Sequence, residues 1–242
     1  MGKLLVVTSG KGGTGKSTVA AGLSIALCSL GRKVLLIDMD QGLRCLDILL
    51  GVADTVVFDL YDVICGRKPL NAAVVRPVGV EGLDLLPAPI YREDIEKGLF
   101  ERIISEALGS YDYVILDSPA GLDKSLFPAG SQALVVVNPD PVSVRSASYL
   151  NLFLEELGIN PRLMVLNKFI YKYFKKGLYK NVDQIIDQTG LRLAAVIPYD
   201  EEVVVAAARG IPLQKGRAAN AFFRLANRLE GNVVPLPNLK KL

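Results

Sequence analysis

The sequence predicts an α/β fold: a mostly parallel, twisted sheet with helices on both faces. Three observations point there. Short, almost wholly apolar runs recur along the chain, the signature of strands covered on both sides. Segments of helical periodicity lie between several of them, as crossover connections require. A glycine-rich loop carrying two lysines joins the first run to the first helix, which puts a phosphate cradle at the carboxyl ends of the strands, where such sheets bind ligands.

Taken in order, Lys3–Thr8 reads as a buried strand and Thr18 to Leu30 as the helix that follows the loop. Val34–Asp38, Leu83–Leu86, Tyr113–Asp117, Ala133–Val137, Leu163–Asn167 and Ala195–Ile197 are the further strands. Arg92–Leu108, Val142–Leu157 and Val182–Thr189 are the helices between them, followed by Glu201–Arg209 and Arg217–Leu229 near the end. In the last of these Ala218, Phe222, Leu225 and Leu229 share one face, so it docks on the core, and Gly231 supplies a stop. Residues 1–231 are expected to form one domain. Residues 232–242 form a short tail in which Pro235 and Pro237 exclude a continuous helix, leaving no convincing membrane-targeting helix.

Composition narrows the function classes. Half of the 242 residues are hydrophobic, enough for a substantial core and against disorder. No uninterrupted apolar run reaches membrane-spanning length, and no signal peptide fits before the first strand, so a cytoplasmic protein is expected. Cys28, Cys45 and Cys65 are scattered and read as reduced thiols, and histidine is absent, which removes the commonest transition-metal ligand. A net charge of +3 is too mild to argue nucleic-acid binding by itself.

The run Gly10-Lys11-Gly12-Gly13-Thr14-Gly15-Lys16-Ser17 satisfies G-x-x-x-x-G-K-S/T. Its glycines let successive N–H groups curl around a phosphate, and the helix N-terminus adds positive potential. In such a loop Lys16 reaches the β- and γ-phosphates and the Ser17 hydroxyl holds Mg²⁺. Acidic partners stand at two strand ends, in Asp38-Met39-Asp40 and in Asp117-Ser118-Pro119-Ala120-Gly121. An aspartate after several apolar strand residues is costly unless it meets a cation, so Asp117 is expected near the metal. Gly121 suits a backbone N–H brought close to the γ-phosphate, since no side chain blocks the approach.

The early lysine sharpens this. Lys11-Gly-Gly-Thr-Gly-Lys16-Ser-Thr18 resembles the deviant phosphate loop of the MinD/ParA family of ATPases. Asp38 to Asp47 is similar to the D-x-D-x-G-L-R-x-L-D switch I of its MinD branch, and Asp117–Gly121 to switch II. Asn138-Pro139 with Ser143-Val144-Arg145 resembles the segment after the next strand, and the similarity runs from residue 1 to about residue 231. The resemblance implies an ATP-binding, Mg²⁺-dependent ATPase that forms a homodimer with ATP and acts in placing the division septum. Its nucleotide-binding set is Lys11, Gly12, Gly13, Thr14, Gly15, Lys16, Ser17, Thr18 and Gly121. Asn167, Pro198 and Asp200 join that set on the adenine side. Lys11, Lys16 and Asp40 are the implied catalytic residues, Lys11 reaching the partner's phosphates and Asp40 orienting water. Ser17, Asp38 and Asp117 form the implied metal set. A MinC-like division inhibitor is the implied protein partner, and the inner face of the cell membrane the implied place of action.

Two features depart from the family. The tail is one, and Cys45, where switch I usually carries a polar residue, is the other. Lys168–Lys180 also interleaves lysines with aromatics, a pattern that suits a membrane interface, a nucleic-acid backbone, or a packed loop with a solvated lysine face. A relative that sets flagellar number and a ParA-type DNA-segregation ATPase are the alternative functions. DNA is the weaker partner of the two surfaces.

Overall fold

The computed structural model describes residues 2–93, 97–176 and 179–242. In chain order the elements are β1 (Lys3–Thr8), α1 (Lys16–Ser29), β2 (Val34–Asp38), α2 (Leu46–Leu49), α3 (Leu60–Ile64), α4 (Leu70–Ala73) and β3 (Leu83–Leu86). Then come α5 (Lys97–Ser110), β4 (Tyr113–Asp117), β5 (Gln132–Val137), α6 (Pro141–Glu156), β6 (Arg162–Phe169) and α7 (Tyr171–Lys175). The chain closes with α8 (Val182–Thr189), β7 (Arg192–Pro198), α9 (Glu201–Arg209) and α10 (Arg217–Leu229).

The strands form one sheet in the order β3-β2-β4-β1-β5-β6-β7, and every neighbouring pair runs parallel. Alternation along each strand serves two cores. In β1, Leu4 and Val6 face the cluster completed by Phe100, Ile104, Leu150 and Ile185 from α5, α6 and α8. Leu5 and Val7 face the other, completed by Val19 and Leu23 of α1 and by Phe222 and Leu225 of α10. Gly22 lets α10 come this close: a Cβ there would lie 2.4 Å from the Phe222 ring. β1 and β4 are neighbours, and the connections that leave them diverge, from β1 through α1 to β2 in one half of the sheet and from β4 past β1 to β5 in the other. The crevice at the carboxyl ends of β1 and β4 is the switch point where ligands bind.

Four of the predicted strands match residue for residue, and β5, β6 and β7 extend beyond their predicted limits. Helix α1 starts at Lys16, two residues earlier than expected, so Lys16 and Ser17 lie in its first turn. The helix expected over Arg92–Leu108 needs correction. Arg92 and Glu93 are outside it, residues 94–96 lie outside the described residues, and the described helix runs Lys97–Ser110. Helices α2, α3, α4 and α7 have five residues or fewer, too short to show a period. Capping explains α3, where Asp59 and Asp62 form a reciprocal capping box. In the tail a single helical turn, Leu239–Lys241, forms. Leu239 and Leu242 pack on the core, and the Arg228 guanidinium donates to the Val234 carbonyl. Among the described residues no helix is long and apolar enough to cross a membrane.

Candidate nucleotide site

The phosphate loop leaves β1 at Thr8 and enters α1 at Lys16, held open by Gly13 at φ 76° and Gly15 at φ 93°. Among the described residues, no main-chain N–H from Gly12 to Thr18 donates to an acceptor within the chain. Gly15 offers no side-chain cap, and the first turn of α1 holds no acidic residue. A helix end with free donors and no capping carboxylate is an anion site. Among the described residues nothing lies within 4 Å of where a Cβ would stand on Gly12 or Gly13, so the cradle is open to a ligand. The Oγ1 of buried Thr14 also has no partner among the described residues.

Asp38 and Asp117 are register neighbours at the ends of β2 and β4, and both are fully buried. Asp38 accepts main-chain N–H bonds from Asp40 at 2.9 Å and Leu46 at 3.2 Å, so its two oxygens hold switch I in shape. Burial nevertheless pushes its carboxyl up to about 6. Asp117 keeps one oxygen, Oδ1, without a partner among the described residues. Burial pushes it up to about 7, against the nearby Ser17 hydroxyl, which favours the ionised form. A buried carboxylate with an unused oxygen beside Ser17 and Lys16 is an invitation to a divalent cation. Among the described residues no group of three or more carboxylates and thiols is placed to hold a metal ion by itself, which suits Mg²⁺ shared with phosphate oxygens and water rather than a protein cage.

Switch I folds back through Gly42, whose N–H donates to the Pro89 carbonyl, and through the ion pair of Arg44 with buried Asp47 at 2.8 Å. Asp40 is half-buried at its start. Cys45 lies close to Ser17 and the aspartates, and burial pushes its thiol up to about 11. Lys11 is placed against its own chain, its ammonium 3.4 Å from Asp140, the residue that caps α6. The Gly121 N–H meets the Ser9 carbonyl at 3.4 Å, which brings switch II to the loop.

On the far side Asn167 Nδ2 donates to the Thr14 carbonyl at 2.8 Å. Pro198 is buried at the end of β7. Asp200 is engaged elsewhere: its oxygens accept the main-chain N–H groups of Glu202 and Ala218, joining α9 to α10. Lys168, singled out in the sequence only as the start of the lysine–aromatic segment, also reaches the loop and donates to the Gly13 carbonyl at 2.9 Å. The sequence carries a signal for it, a lysine directly after a strand-end asparagine, but regular strand alternation sends two successive side chains to opposite faces. Within Lys168–Lys180, Phe169 and Tyr179 are buried, and Phe174 lies against both rings with centroids at 4.9 and 6.2 Å. These aromatics are core, and residues 177–178 lie outside the described residues.

A family profile, the CobQ/CobB/MinD/ParA nucleotide binding domain, matches residues 5–213. The septum site-determining protein MinD of Thermotoga maritima is 38% identical over 98% of this chain and 92% of its own length. The chain belongs to the MinD/ParA family of P-loop ATPases. The MinD of Bacillus subtilis is 34% identical over 100% of this chain and 94% of its own. Among solved MinD structures, the Aquifex aeolicus MinC:MinD cell division protein complex has a chain that superposes with a TM-score of 0.90 at 35% identity, covering 98% of this chain and 99% of that one. MinD of Pyrococcus horikoshii complexed with Mg-ADP gives 0.83 at 31% identity, covering 95% and 96%. Plasmid-partition and ParA structures at 20–23% identity share the fold.

Proposed function

We propose that this protein is a MinD-type, Mg²⁺-dependent ATPase whose ATP-bound homodimer helps to place the division septum. The observation that carries this is the uncapped phosphate loop facing a buried Asp117 with an unused oxygen. Residues 1–231 act as the ATPase unit. Septum-site relatives that align along nearly the whole chain support the cellular role, and the relative solved as a MinC:MinD complex supports a MinC-like partner. The place of action is the cytoplasm and the inner face of the cell membrane.

In this mechanism the main-chain N–H groups of Gly12, Gly13, Thr14, Gly15, Lys16, Ser17 and Thr18 hold the phosphates. The Lys16 ammonium neutralises charge at the β,γ bridge. The Ser17 hydroxyl and Asp117 would hold Mg²⁺, with Asp38 supporting the site through switch I. When bound, the ion draws charge off the phosphate oxygens as the phosphoryl group transfers. Asp40 orients the water whose oxygen forms a bond to the γ-phosphorus as the bond to the leaving ADP oxygen breaks. Gly121 leaves the Ser9 carbonyl and offers its N–H to the γ-phosphate. Lys11 leaves Asp140 and crosses to the partner's nucleotide, which ties dimerisation to ATP. Asn167 and the Pro198–Asp200 turn flank the adenine, with Asp200 shaping that turn through its capping bonds. The test is phosphate release with and without Mg²⁺, beside a sizing run with ATP and with ADP. Expected are Mg²⁺-dependent turnover, an ATP-specific dimer, and at least a hundredfold loss of turnover in Lys16→Ala and Asp40→Ala (about 10²-fold is typical of one lost catalytic group). Unchanged turnover in both variants would remove the assignment.

A further inference from the structure

Asn167 and Lys168 are adjacent, yet both side chains reach the phosphate loop, Asn167 to the Thr14 carbonyl at 2.8 Å and Lys168 to the Gly13 carbonyl at 2.9 Å. Successive strand residues normally point to opposite faces. Here Lys168 adopts φ 53°, a left-handed conformation rare outside glycine, and the β6–β7 register is irregular between Leu166 and Phe169. That departure turns the second side chain to the same side as the first. A strained non-glycine conformation beside a ligand site persists where the surroundings hold it in place.

The consequence follows from peptide geometry. In a planar trans peptide the C=O and the next N–H point in opposite directions. Holding the Gly13 carbonyl therefore aims the Thr14 N–H the other way, and holding the Thr14 carbonyl does the same for the Gly15 N–H. Among the described residues both N–H groups have no partner. Gly13 and Gly15 flank these peptide units, so without the two bonds either unit is free to rotate and present a carbonyl to the phosphates. The close fit is visible at Gly15, where a Cβ would meet Asn167 Nδ2 at 2.5 Å.

We propose that Lys168 is a positioning residue for the ATPase: with Asn167 it pins the Gly13 and Thr14 carbonyls and so presets the loop's N–H groups for the nucleotide phosphates. This rests on the ATPase assignment above. It acts through the loop backbone and adds a positive charge at its rim.

The experiment compares wild type with Lys168→Gly, Lys168→Met and Lys168→Arg by ADP and ATP titration calorimetry, thermal melting and steady-state turnover. Glycine relieves the left-handed backbone, so Lys168→Gly is expected to melt like wild type while binding ADP and ATP threefold to tenfold more weakly, the worth of one exposed hydrogen bond. Lys168→Met is expected to show the same loss, and Lys168→Arg, which still donates, to recover most of it. The loss is expected in nucleotide affinity and KM more than in kcat, since Lys168 touches no reacting atom. Wild-type affinity in both Lys168→Gly and Lys168→Met overturns the proposal while leaving the ATPase assignment intact. Failure of wild type itself to bind ATP overturns that assignment, and the proposal with it.

Discussion

Replacing Asp117 by asparagine tests whether this carboxylate is held for a cation at the expense of the fold. Its carboxyl, normally near 3.8, is pushed up to about 7 by burial. At about 1.4 kcal/mol for each tenfold in proton affinity, keeping it ionised costs the metal-free protein about 4 kcal/mol above neutral pH. The sign is that of a raised carboxyl: the penalty is absent below pH 3.8, grows as the unfolded chain ionises first, and is complete above about pH 7. At pH 5 it amounts to about 2 kcal/mol. Asparagine removes the charge but leaves a buried amide short of partners, which returns about 1–3 kcal/mol. A net gain of about 2 kcal/mol at pH 8 corresponds to a melting point roughly 4–8 °C higher for a domain of this size. The assay is thermal unfolding in a chelator at pH 8 and pH 5, with Mg²⁺-nucleotide binding measured on the same samples. Asp117→Asn should melt higher than wild type at pH 8, lose most of that advantage at pH 5, and bind Mg²⁺-nucleotide poorly. If it melts at or below wild type at pH 8, Asp117 is no strained ligand but a structural group, and the metal assignment goes with it.

Three further outcomes are expected. Gly22→Ala places a Cβ 2.4 Å from the Phe222 ring and should lose about 1–2 kcal/mol despite alanine's better helix propensity. Adding Phe222→Leu should return part of it, and a stable single variant would show that α10 yields freely. Iodoacetamide at pH 8 should label exposed Cys65 first, because burial pushes Cys28 up to about 12 and Cys45 to about 11. Equal labelling of all three by mass spectrometry would contradict that environment. Lys11→Ala should still bind ATP as a monomer but fail to dimerise in light scattering, whereas a persisting ATP dimer would return Lys11 to the role of a local partner of Asp140.

Much of the fold was legible because its strands are buried on both faces, so each announces itself as an unbroken apolar run such as Tyr113–Asp117. The loop and the strand-end aspartates were legible for a related reason: G-x-x-x-x-G-K-S between a strand and a helix, or a carboxylate ending an apolar run, has few other uses. Short helices such as α3 and α7 escaped because five residues do not complete a period, and their formation depends on caps and packing. The start of the helix expected at Arg92 was misplaced because propensity alone does not set a boundary.

The sequence by itself determined the chemistry that is local: the cradle at Gly10–Ser17, the acids at Asp38, Asp40 and Asp117, and the parallel order of strand and helix that brings them to one end. Only the tertiary structure decided how those parts are divided. It holds Asp38 on the Asp40 and Leu46 amides while leaving an Asp117 oxygen unused. It sets Lys11 on Asp140, and turns Lys168 beside Asn167 onto a loop more than 150 residues away in the chain. The physical reason is range: strand burial and loop geometry follow from neighbouring residues, whereas a hydrogen bond between distant segments depends on sheet order and on one lysine leaving the strand conformation.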